Sequence, residues 1–408
     1  MRYTFIGTHD SVESAFTSLS SDTSAVTACD VERAQGYVYD NNAYIVQIRR
    51  GKGDTFIFDT AHQPDMTRLS DILQDTTWVF HAADQDLHSL FRLNIRPQTL
   101  FDTKIAAEIS GCPRIGLASL SSDFLGIPMS KQHQAENWSR RPVPPQWLDY
   151  AAGDVEYLYD LKELLTQRLV MLGRLEWFKE ECHYIVAKSV RTYGQEDDLK
   201  WWKHIPHFHD IHDKRGRAIA YQLWRAREDI AKKNNIAPHW VLPNKALNWA
   251  ATRKVRGYRG LCAYGHPGVR RYRSAWKHAL SLAWQMTTEP PRNDRKNQRN
   301  NHGIPFVSRW KYDAPDKYQR LQLLNITQHM LEQTYRIPMH MMVSQARRQR
   351  IAWLWKKEGD VRAILDDTPA RKWQKNLIEP YFERTLSTGD TLEISDYSFP
   401  EELLILPS

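Results

Sequence analysis

Residues 27–34 read TACDVERA and continue a run, starting at Ala25, that is typical of a buried β-strand. Asp30 and Glu32 lie at the end of this strand. Side chains two residues apart in a strand point to the same face, roughly 6–7 Å apart. Two carboxylates side by side next to a hydrophobic core repel each other, and one of them would tend to stay protonated. A bound divalent cation would relieve this repulsion, so the pair predicts a metal site at the end of the strand.

Around this strand the sequence predicts an α/β domain with a mixed sheet flanked by helices. Turn signals such as YDNN and RRGKGD separate four short β-rich runs, at residues 25–32, 43–50, 54–60 and 76–82. Helical patterns follow around residues 84–92, around residues 102–110 and from Gln146 to Leu172. Strands that come first and helices that follow favour an α/β architecture for residues 1–190.

Beyond residue 190 the patterns are helical, and they contain a weak internal repeat. LWRAREDIAKKNNIAPHWVL (223–242) aligns with LLNITQHMLEQTYRIPMHMM (323–342) at an offset of 100 residues. Each copy has a helix, a turn marked by proline and the start of another apolar helix, which predicts two related helical domains. The predicted organisation is an α/β domain at 1–190, a linker at 191–208, a helical domain at 209–290, a polar linker at 291–308, a second helical domain at 309–395 and a tail at 396–408.

The net charge of +8 is distributed unevenly along the chain. Residues 1–200 hold 20 Lys and Arg against 28 Asp and Glu, whereas residues 201–350 hold 29 against 9. Residues 351–408 are again acidic, with 7 against 11. A strongly basic middle predicts that one domain binds a polyanion while another has a different task. The alternative is a solvated basic surface without a partner.

The cysteines and the N-terminal segment bear on the compartment. Cys29, Cys112, Cys182 and Cys262 lie far apart without a C-x-x-C pair, which argues against a zinc ribbon or a disulfide scaffold. We see no signal-peptide pattern at the start and no segment near the roughly 20 apolar residues of a membrane span. We therefore expect a soluble, cytoplasmic protein that does not act at a membrane.

Two further places in the front half concentrate groups that carry chemistry. Asp86 falls in the first turns of a helix that directly follows a strand, and Tyr150 and Asp154 stand four apart on one helix face. Each alone has an ordinary explanation: a helix first-turn acid, a core tyrosine and a surface aspartate. Together with Asp30 and Glu32, they form the oxygen-rich set that two Mg²⁺ or Mn²⁺ ions prefer. Such a pair of ions suits phosphodiester hydrolysis, and a tyrosine hydroxyl could orient the attacking water.

The order D-x-E, H-x(4)-D-L and Y-x(3)-D resembles the tyrosine-bearing branch of the DEDD superfamily of 3′→5′ exonucleases, and the ribonuclease D family in particular. The stretches 101–111, 117–131, 137–158 and 177–184 read in the same way. The resemblance implies a ribonuclease H-like exonuclease domain followed by two all-α HRDC-like domains. It also implies that Asp30, Glu32, Asp86 and Asp154 ligate two divalent ions and that Tyr150 helps to place the hydrolytic water.

The chain departs from the family pattern at Val31 and Arg33, where a threonine and an aromatic or small residue are common. Arg33 therefore bears on how the substrate end is recognised. In the basic region we expect phosphate contacts, interleaved with Trp249, Tyr258 and other aromatic residues that could stack on bases. The candidate contacts are Lys232, Lys233, Arg253, Lys254, Arg256, Arg259, Arg270, Arg271 and Arg273, and the remaining aromatic residues are Tyr264 and Tyr272.

The leading functional prediction is a divalent-metal-dependent 3′→5′ exoribonuclease without a nucleotide cofactor. By resemblance, its substrate is the single-stranded 3′ end of a structured RNA such as a transfer-RNA precursor. The same chemistry on DNA, in repair or proofreading, is the first alternative, because the sequence does not show which residues would recognise the 2′-hydroxyl of RNA. An inactive RNA-binding protein is the second alternative, although all four acids and Tyr150 are present.

Overall fold

The structure is a computed structural model that describes residues 3–7, 9–130, 132–195, 201–203, 205–288, 290, 304–390, 399–400 and 403. Its described part contains one mixed sheet of six strands in the order β1-β4-β3-β2-β5-β6. The strands are β1 Tyr3–Ile6, β2 Val26–Glu32, β3 Ile45–Arg50, β4 Thr55–Asp59, β5 Thr77–Phe80 and β6 Thr99–Asp102. The four β-rich runs predicted from the sequence correspond to β2, β3, β4 and β5, and these form the interior of the sheet.

The sheet places the predicted metal strand at its centre. β2 pairs antiparallel with β3, Glu32 opposite Ile45, and parallel with β5 on its other side. Because parallel strands end at the same edge of a sheet, the segment after β5 emerges beside the end of β2. The chain after β5 makes a 3-10 turn at Ala83–Gln85, and Asp86 follows it directly. This topology brings Asp86 towards Asp30.

In the described part of this region, eight α-helices accompany the sheet, and several of them pack directly against its strands. They are α1 His9–Ser21, α2 Thr67–Ile72, α3 Leu87–Arg92, α4 Thr103–Ile109, α5 Leu117–Leu125, α6 Pro145–Glu156, α7 Leu158–Met171 and α8 Leu175–Thr192. The α/β prediction for the front of the chain is confirmed. We call residues 3–195, which contain the five predicted active-site residues, the catalytic half.

The predicted single helix from Gln146 to Leu172 is wrong, because the chain breaks it at Tyr157. Tyr157 has φ −105° and ψ 0°, between α6 and α7. The Arg49 guanidinium donates to the carbonyl of Glu156 at this break. A carbonyl at a helix end lacks its intrahelical partner, so this bond from β3 compensates for the break.

The rest of the described chain is helical and forms two units. The first helical unit, residues 201–288, contains α9 Lys214–Asn234, α10 Pro238–Val241, α11 Asn244–Thr252, α12 Tyr258–Cys262, α13 Pro267–Arg271 and α14 Arg273–Gln285. The second helical unit, residues 304–390, contains α15 Val307–Asp313, α16 Pro315–Tyr335, α17 Met339–Met342, α18 Gln345–Leu354, α19 Asp360–Asp366 and α20 Lys372–Thr388.

The two segments of the predicted repeat have similar helices, although the two units differ in the number and lengths of their other helices. α9 and α16 each have 21 residues, and a helix of four residues, α10 or α17, follows each. Trp201, Ile205 and Phe208 are buried in the core of the first helical unit, although the sequence interpretation placed residues 191–208 in a linker. Most of the predicted linker 291–308 and tail 396–408 lies outside the described residues.

None of the described helices combines the length and the apolar character that a membrane crossing requires.

Candidate active site

The structure brings all five predicted site residues to one cavity of about 350 Å³ in the catalytic half. Asp30 and Glu32 come from the end of β2, Asp86 from the turn after β5, and Tyr150 and Asp154 from α6. Carboxylate oxygens of Asp30, Glu32 and Asp154 lie within 4.8 Å of one another. Residues far apart in sequence therefore form one acidic cluster at the C-terminal end of the central strand.

Helix α6 is held against the sheet by small buried side chains. It packs on β2, β3 and β4, and its Ala151 and Ala152 are buried there. Small residues allow a helix to approach a sheet closely. Tyr150 and Asp154 flank these alanines four residues apart, so they lie on adjacent turns and reach the end of β2 together.

Burial raises the pKa of all four carboxylates in the acidic cluster. Burial raises the pKa of Asp30 to about 6, and burial together with the charge of Asp30 raises the pKa of Asp154 to about 8. Burial and the neighbouring carboxylates, Asp30 first, also raise the pKa of Glu32 and of Asp86 well above their usual range. Hard divalent cations take carboxylate oxygens as ligands, so this oxygen-only set fits Mg²⁺ or Mn²⁺.

Arg33 supplies a positive charge inside this cavity. Its Nη2 lies 3.2 Å from Oδ1 of Asp86, and the guanidinium also donates to the carbonyl of Gln85. The side chain is only 15% exposed. The departure from the family pattern noted in the sequence thus lies directly against one of the four acids.

Tyr150 is hydrogen-bonded to Asp154 and remains a hydroxyl. Burial and the charge of Asp154 raise its pKa far above that of an ordinary tyrosine. Its ring packs among aromatic neighbours, with centroids 6.2 Å from His133 and 6.5 Å from Trp138. A phenol held in this way can donate a hydrogen bond or orient a water molecule, but it is not available as a base.

Two nearby polar residues of the catalytic half have other roles. Asp102 accepts hydrogen bonds from the backbone amides of Ala82 and Ala83 and also caps the start of α4, so its role is structural. His81 lines the cavity, and burial lowers its pKa to about 4. Its Nδ1 lies 2.9 Å from Oγ1 of Thr103, so it is a neutral imidazole fixed in place.

Sequence reasoning missed several residues that line the cavity. They come from two segments that carry no titratable motif, so spacing alone offered no signal for them. They are Gly116, Leu117, Ala118 and Ser119 at the start of α5, and Met129, Ser130 and Gln134 after α5.

The basic candidates are all exposed on the first helical unit, at Lys232, Lys233, Arg253, Lys254, Arg256, Arg259, Arg270, Arg271 and Arg273. The aromatic residues expected to alternate with them are half-buried against the core of that unit. Arginines cover three of their rings: Arg253 lies 5.0 Å from the Trp249 centroid, Arg273 lies 5.2 Å from that of Tyr258 and Arg271 lies 5.5 Å from that of Tyr272. The exposed aromatic residue of this unit is Trp240, which the sequence interpretation did not select.

Two family models match the chain. One, described as a 3′-5′ exonuclease, matches residues 3–170. The other, described as a 3′ to 5′ exonuclease C-terminal domain, matches residues 303–386. The first range holds all five residues of the acidic cavity, and the second lies within the second helical unit except for residue 303.

Curated relatives are named ribonuclease D. The protein of Zymomonas mobilis is 31% identical over 283 residues, which cover 66% of this chain and 70% of the relative. The protein of Granulibacter bethesdensis is 31% identical over 223 residues, which cover 53% of this chain and 55% of the relative. The match thus spans about half the length of several of these relatives.

Solved structures share the architecture over nearly the whole chain. A protein from Bifidobacterium adolescentis is 27% identical with a TM-score of 0.82, covering 95% of this chain and 97% of its own. The RNase D of Escherichia coli, an exoribonuclease involved in structured RNA processing, is 19% identical with a TM-score of 0.67. It covers 96% of this chain and 100% of its own, and this second likeness concerns the fold.

Proposed function

The chain belongs to the ribonuclease D family of 3′→5′ exonucleases, and we propose from this premise that it shortens RNA from the 3′ end, one nucleotide at a time. The observation that carries the proposal is the single cavity in which Asp30, Glu32, Asp86 and Asp154 meet beside Tyr150. Two divalent ions, Mg²⁺ or Mn²⁺, would be held by these four carboxylates. When bound, such ions stabilise the attacking and the leaving oxygen of an in-line displacement at phosphorus.

The side chains around the ions have separate tasks in this proposal. Tyr150, held by Asp154 and protonated at all physiological pH values, orients the water that attacks the terminal phosphodiester. Arg33 neutralises part of the charge of Asp86 and lies in the cavity where a substrate phosphate would enter. His81, neutral and fixed by Thr103, shapes the wall without adding charge.

We assign the holding of the RNA to the first helical unit, whose exposed cations can follow a phosphate backbone. Both helical units are HRDC-like in this proposal, because each contains a 21-residue helix followed by a four-residue helix. The substrate is the unpaired 3′ end of a structured RNA, such as a transfer-RNA precursor. Three buried cysteines and one half-buried cysteine, all free in the described chain, fit a reducing cytoplasm.

The decisive experiment is digestion of an RNA with an unpaired 3′ tail by the purified protein, with Mg²⁺, with Mn²⁺ and with EDTA, beside Asp30→Asn. A matched control is Asp84→Asn, which alters an exposed acid two residues from Asp86. We expect metal-dependent loss of single nucleotides from the 3′ end, abolished in D30N and retained in D84N.

The same assay separates the alternatives. A DNA oligonucleotide of matched sequence is digested in parallel, and faster digestion of DNA would assign the activity to a DNA exonuclease. Tight binding of RNA without shortening in either metal would instead support an inactive RNA-binding protein. Equal loss of activity in D30N and D84N would contradict the assignment of the acidic cavity as the active site.

A further inference from the structure

The loop that follows the metal-binding strand is bound by the first helical unit. We call residues 34–40 the junction loop. Asn235, at the end of α9, accepts hydrogen bonds from the amides of Tyr39 and Asp40, both 3.1 Å, and donates to Oδ2 of Asp40 at 2.7 Å. The amide of Ala237 donates to the carbonyl of Tyr37 at 3.1 Å. These contacts fix the start of α10 on a loop that begins two residues after Glu32.

Trp240 is seated on this loop with its ring open to solvent. Its Nε1 donates to the carbonyl of Gly36 at 3.1 Å, yet the residue is 59% exposed. The chain has 15 tryptophans, all within the described ranges, and Trp240 is the exposed one; the others are buried or half-buried. An indole held at its N–H with an exposed ring has already lost the rotational freedom that binding would otherwise cost.

The surroundings of Trp240 are aromatic and basic. Tyr37, on the junction loop, is 38% exposed. On the other side α10 lies tightly against α13, since a Cβ added to Gly268 would meet the carbonyl oxygen of Val241 at 1.9 Å. Helix α13 ends with the exposed Arg270 and Arg271. Aromatic faces next to cations are the combination that binds unpaired nucleic-acid strands without sequence preference.

The distance between the junction loop and the active site is short enough for one RNA strand to reach both. Gly36 is four residues from Glu32, so their Cα atoms are at most about 15 Å apart. Arg33, between them, lines the acidic cavity. A strand whose 3′ end enters the cavity would therefore pass Trp240 within its next few nucleotides.

We propose that Trp240 is a stacking site for an unpaired base of the RNA tail, a few nucleotides upstream of the 3′ end, with the arginines of α13 on the adjacent phosphates. The inference rests on the proposed exoribonuclease function and adds the path of the strand outside the cavity. The first helical unit then aligns the tail at the entrance of the active site and does more than raise general affinity. The specificity that follows is for unpaired tails long enough to reach Trp240.

The test compares Trp240→Ala, Trp240→Phe and Tyr312→Ala in the full chain, on a dinucleotide and on an RNA with eight unpaired 3′ nucleotides. Tyr312 is the matched control, since it is an exposed aromatic residue, 81% exposed, on the second helical unit. We expect W240A to lower kcat/KM on the long tail by roughly tenfold or more and to leave the dinucleotide unchanged. W240F keeps a stacking ring and should retain most of the activity, and Y312A should match the wild type.

A binding measurement keeps this inference separate from the proposed function. In the Asp154→Asn background, a 2-aminopurine base is placed at each position from two to eight in the tail, and its fluorescence is followed. Quenching at one or two positions, lost when W240A is added, supports the stacking site even if no hydrolysis is found. If W240A does not fold, W240L gives the same comparison with a side chain that cannot stack.

Three outcomes would overturn the stacking site. Unchanged activity and quenching in W240A would show that no base rests on the indole. Equal losses on the dinucleotide and on the long tail would assign Trp240 to positioning of the junction loop instead. A loss in W240F as large as that in W240A would assign the effect to the hydrogen bond with Gly36 and not to the ring.

Discussion

The first helical unit keeps its hydrophobic core separate, whereas the core of the second helical unit continues into the catalytic half. The first unit meets the catalytic half at the junction loop, through hydrogen bonds and through Tyr39, which packs against the core of the unit. In the second unit Trp373 stacks on Trp177 of α8 with centroids 5.3 Å apart and donates to Glu181 at 2.7 Å. Two helical units that share a 21-residue helix followed by a four-residue helix are therefore attached in two different ways.

Charge follows the same division. Residues 201–288 hold 17 Lys and Arg against 4 Asp and Glu, whereas residues 304–390 hold 15 against 10. In the second unit one arginine joins the attachment, since Arg371 pairs with the buried Glu181 at 2.5 Å. A unit with its own core and an excess of exposed cations can bind a polyanion without disturbing the active site. A unit that shares the core serves as a brace for α8 and the sheet behind it.

The largest expected effect comes from matched removals of a fully buried tryptophan in each unit. Trp373→Ala and Trp276→Ala should each cost about 3–5 kcal/mol, because each leaves a large cavity. Differential scanning calorimetry should show W373A lowering the transition of the catalytic half, and W276A lowering a transition of the first unit alone. Loss of the catalytic transition in W276A would show that the two cores unfold as one.

The pH dependence of stability should differ between the catalytic half and the first helical unit. Asp30 and Asp154 have folded pKa values of about 6 and about 8, above the usual unfolded values. Their contribution to metal-free stability is therefore complete below the unfolded pKa and is lost as the pH rises through the folded values. From pH 5 to 9 the catalytic transition should fall relative to that of Asp154→Asn, by on the order of 2 kcal/mol.

Two controls accompany that measurement. Mg²⁺ or Mn²⁺ at pH 8 should remove most of the difference between the wild type and D154N, since the cation replaces the protons. The transition of the first helical unit should not respond to D154N. A D154N protein that is less stable than the metal-free wild type at pH 8 would contradict the raised pKa of this carboxylate.

A smaller effect is expected from charge removal on the exposed surfaces. Replacing Arg259, Arg271 and Arg273 by alanine should weaken RNA binding and reduce the salt slope by roughly 2, if each contacts a phosphate of a single strand. The matched triple on the second unit is Lys311, Lys357 and Arg384, which are also exposed. The salt dependence of RNA binding is measured by fluorescence anisotropy from 50 to 300 mM salt. Equal slopes for the two triple variants would contradict the assignment of RNA binding to the first helical unit.

The smallest effect should follow from loosening the attachment of the first unit. Asn235→Gly keeps the left-handed backbone, φ 47°, and removes the three side-chain hydrogen bonds to the junction loop. We expect about 1–2 kcal/mol less protection of the Tyr39 and Asp40 amides in hydrogen exchange. Arg336→Gly, with φ 55° at the end of α16, is the matched control and should leave these amides unchanged.

The acidic cavity could be predicted because each of its residues occupies a position with a regular geometry. Asp30 and Glu32 end a strand, Asp86 follows the neighbouring parallel strand, and Tyr150 and Asp154 are four apart on a helix. The edge strands β1 and β6 were not predicted, since four residues carry little pattern and an edge strand has only one partner.

Other features depend on contacts between distant parts of the chain, which no local pattern contains. The break at Tyr157 is matched by a bond from Arg49, and the position of Trp240 depends on the carbonyl of Gly36, 204 residues away in sequence. The ion pair between Arg33 and Asp86 also forms across the end of two strands. Sequence spacing could mark Arg33 as unusual, but only the packing of β2 beside β5 gives it a partner.

The equal length of α9 and α16 has a consequence for how the chain can change. Each helix has 21 residues, about 31 Å, and each is followed directly by a residue with positive φ, Asn235 or Arg336. Inserting one residue into α9 would turn its end by about 100° and carry Asn235 away from the junction loop. The length of α9 thus fixes the position of Trp240. Adding or removing one residue in α9 would move Trp240 away from the proposed path of the RNA tail, whereas the loops of the first helical unit can change in length.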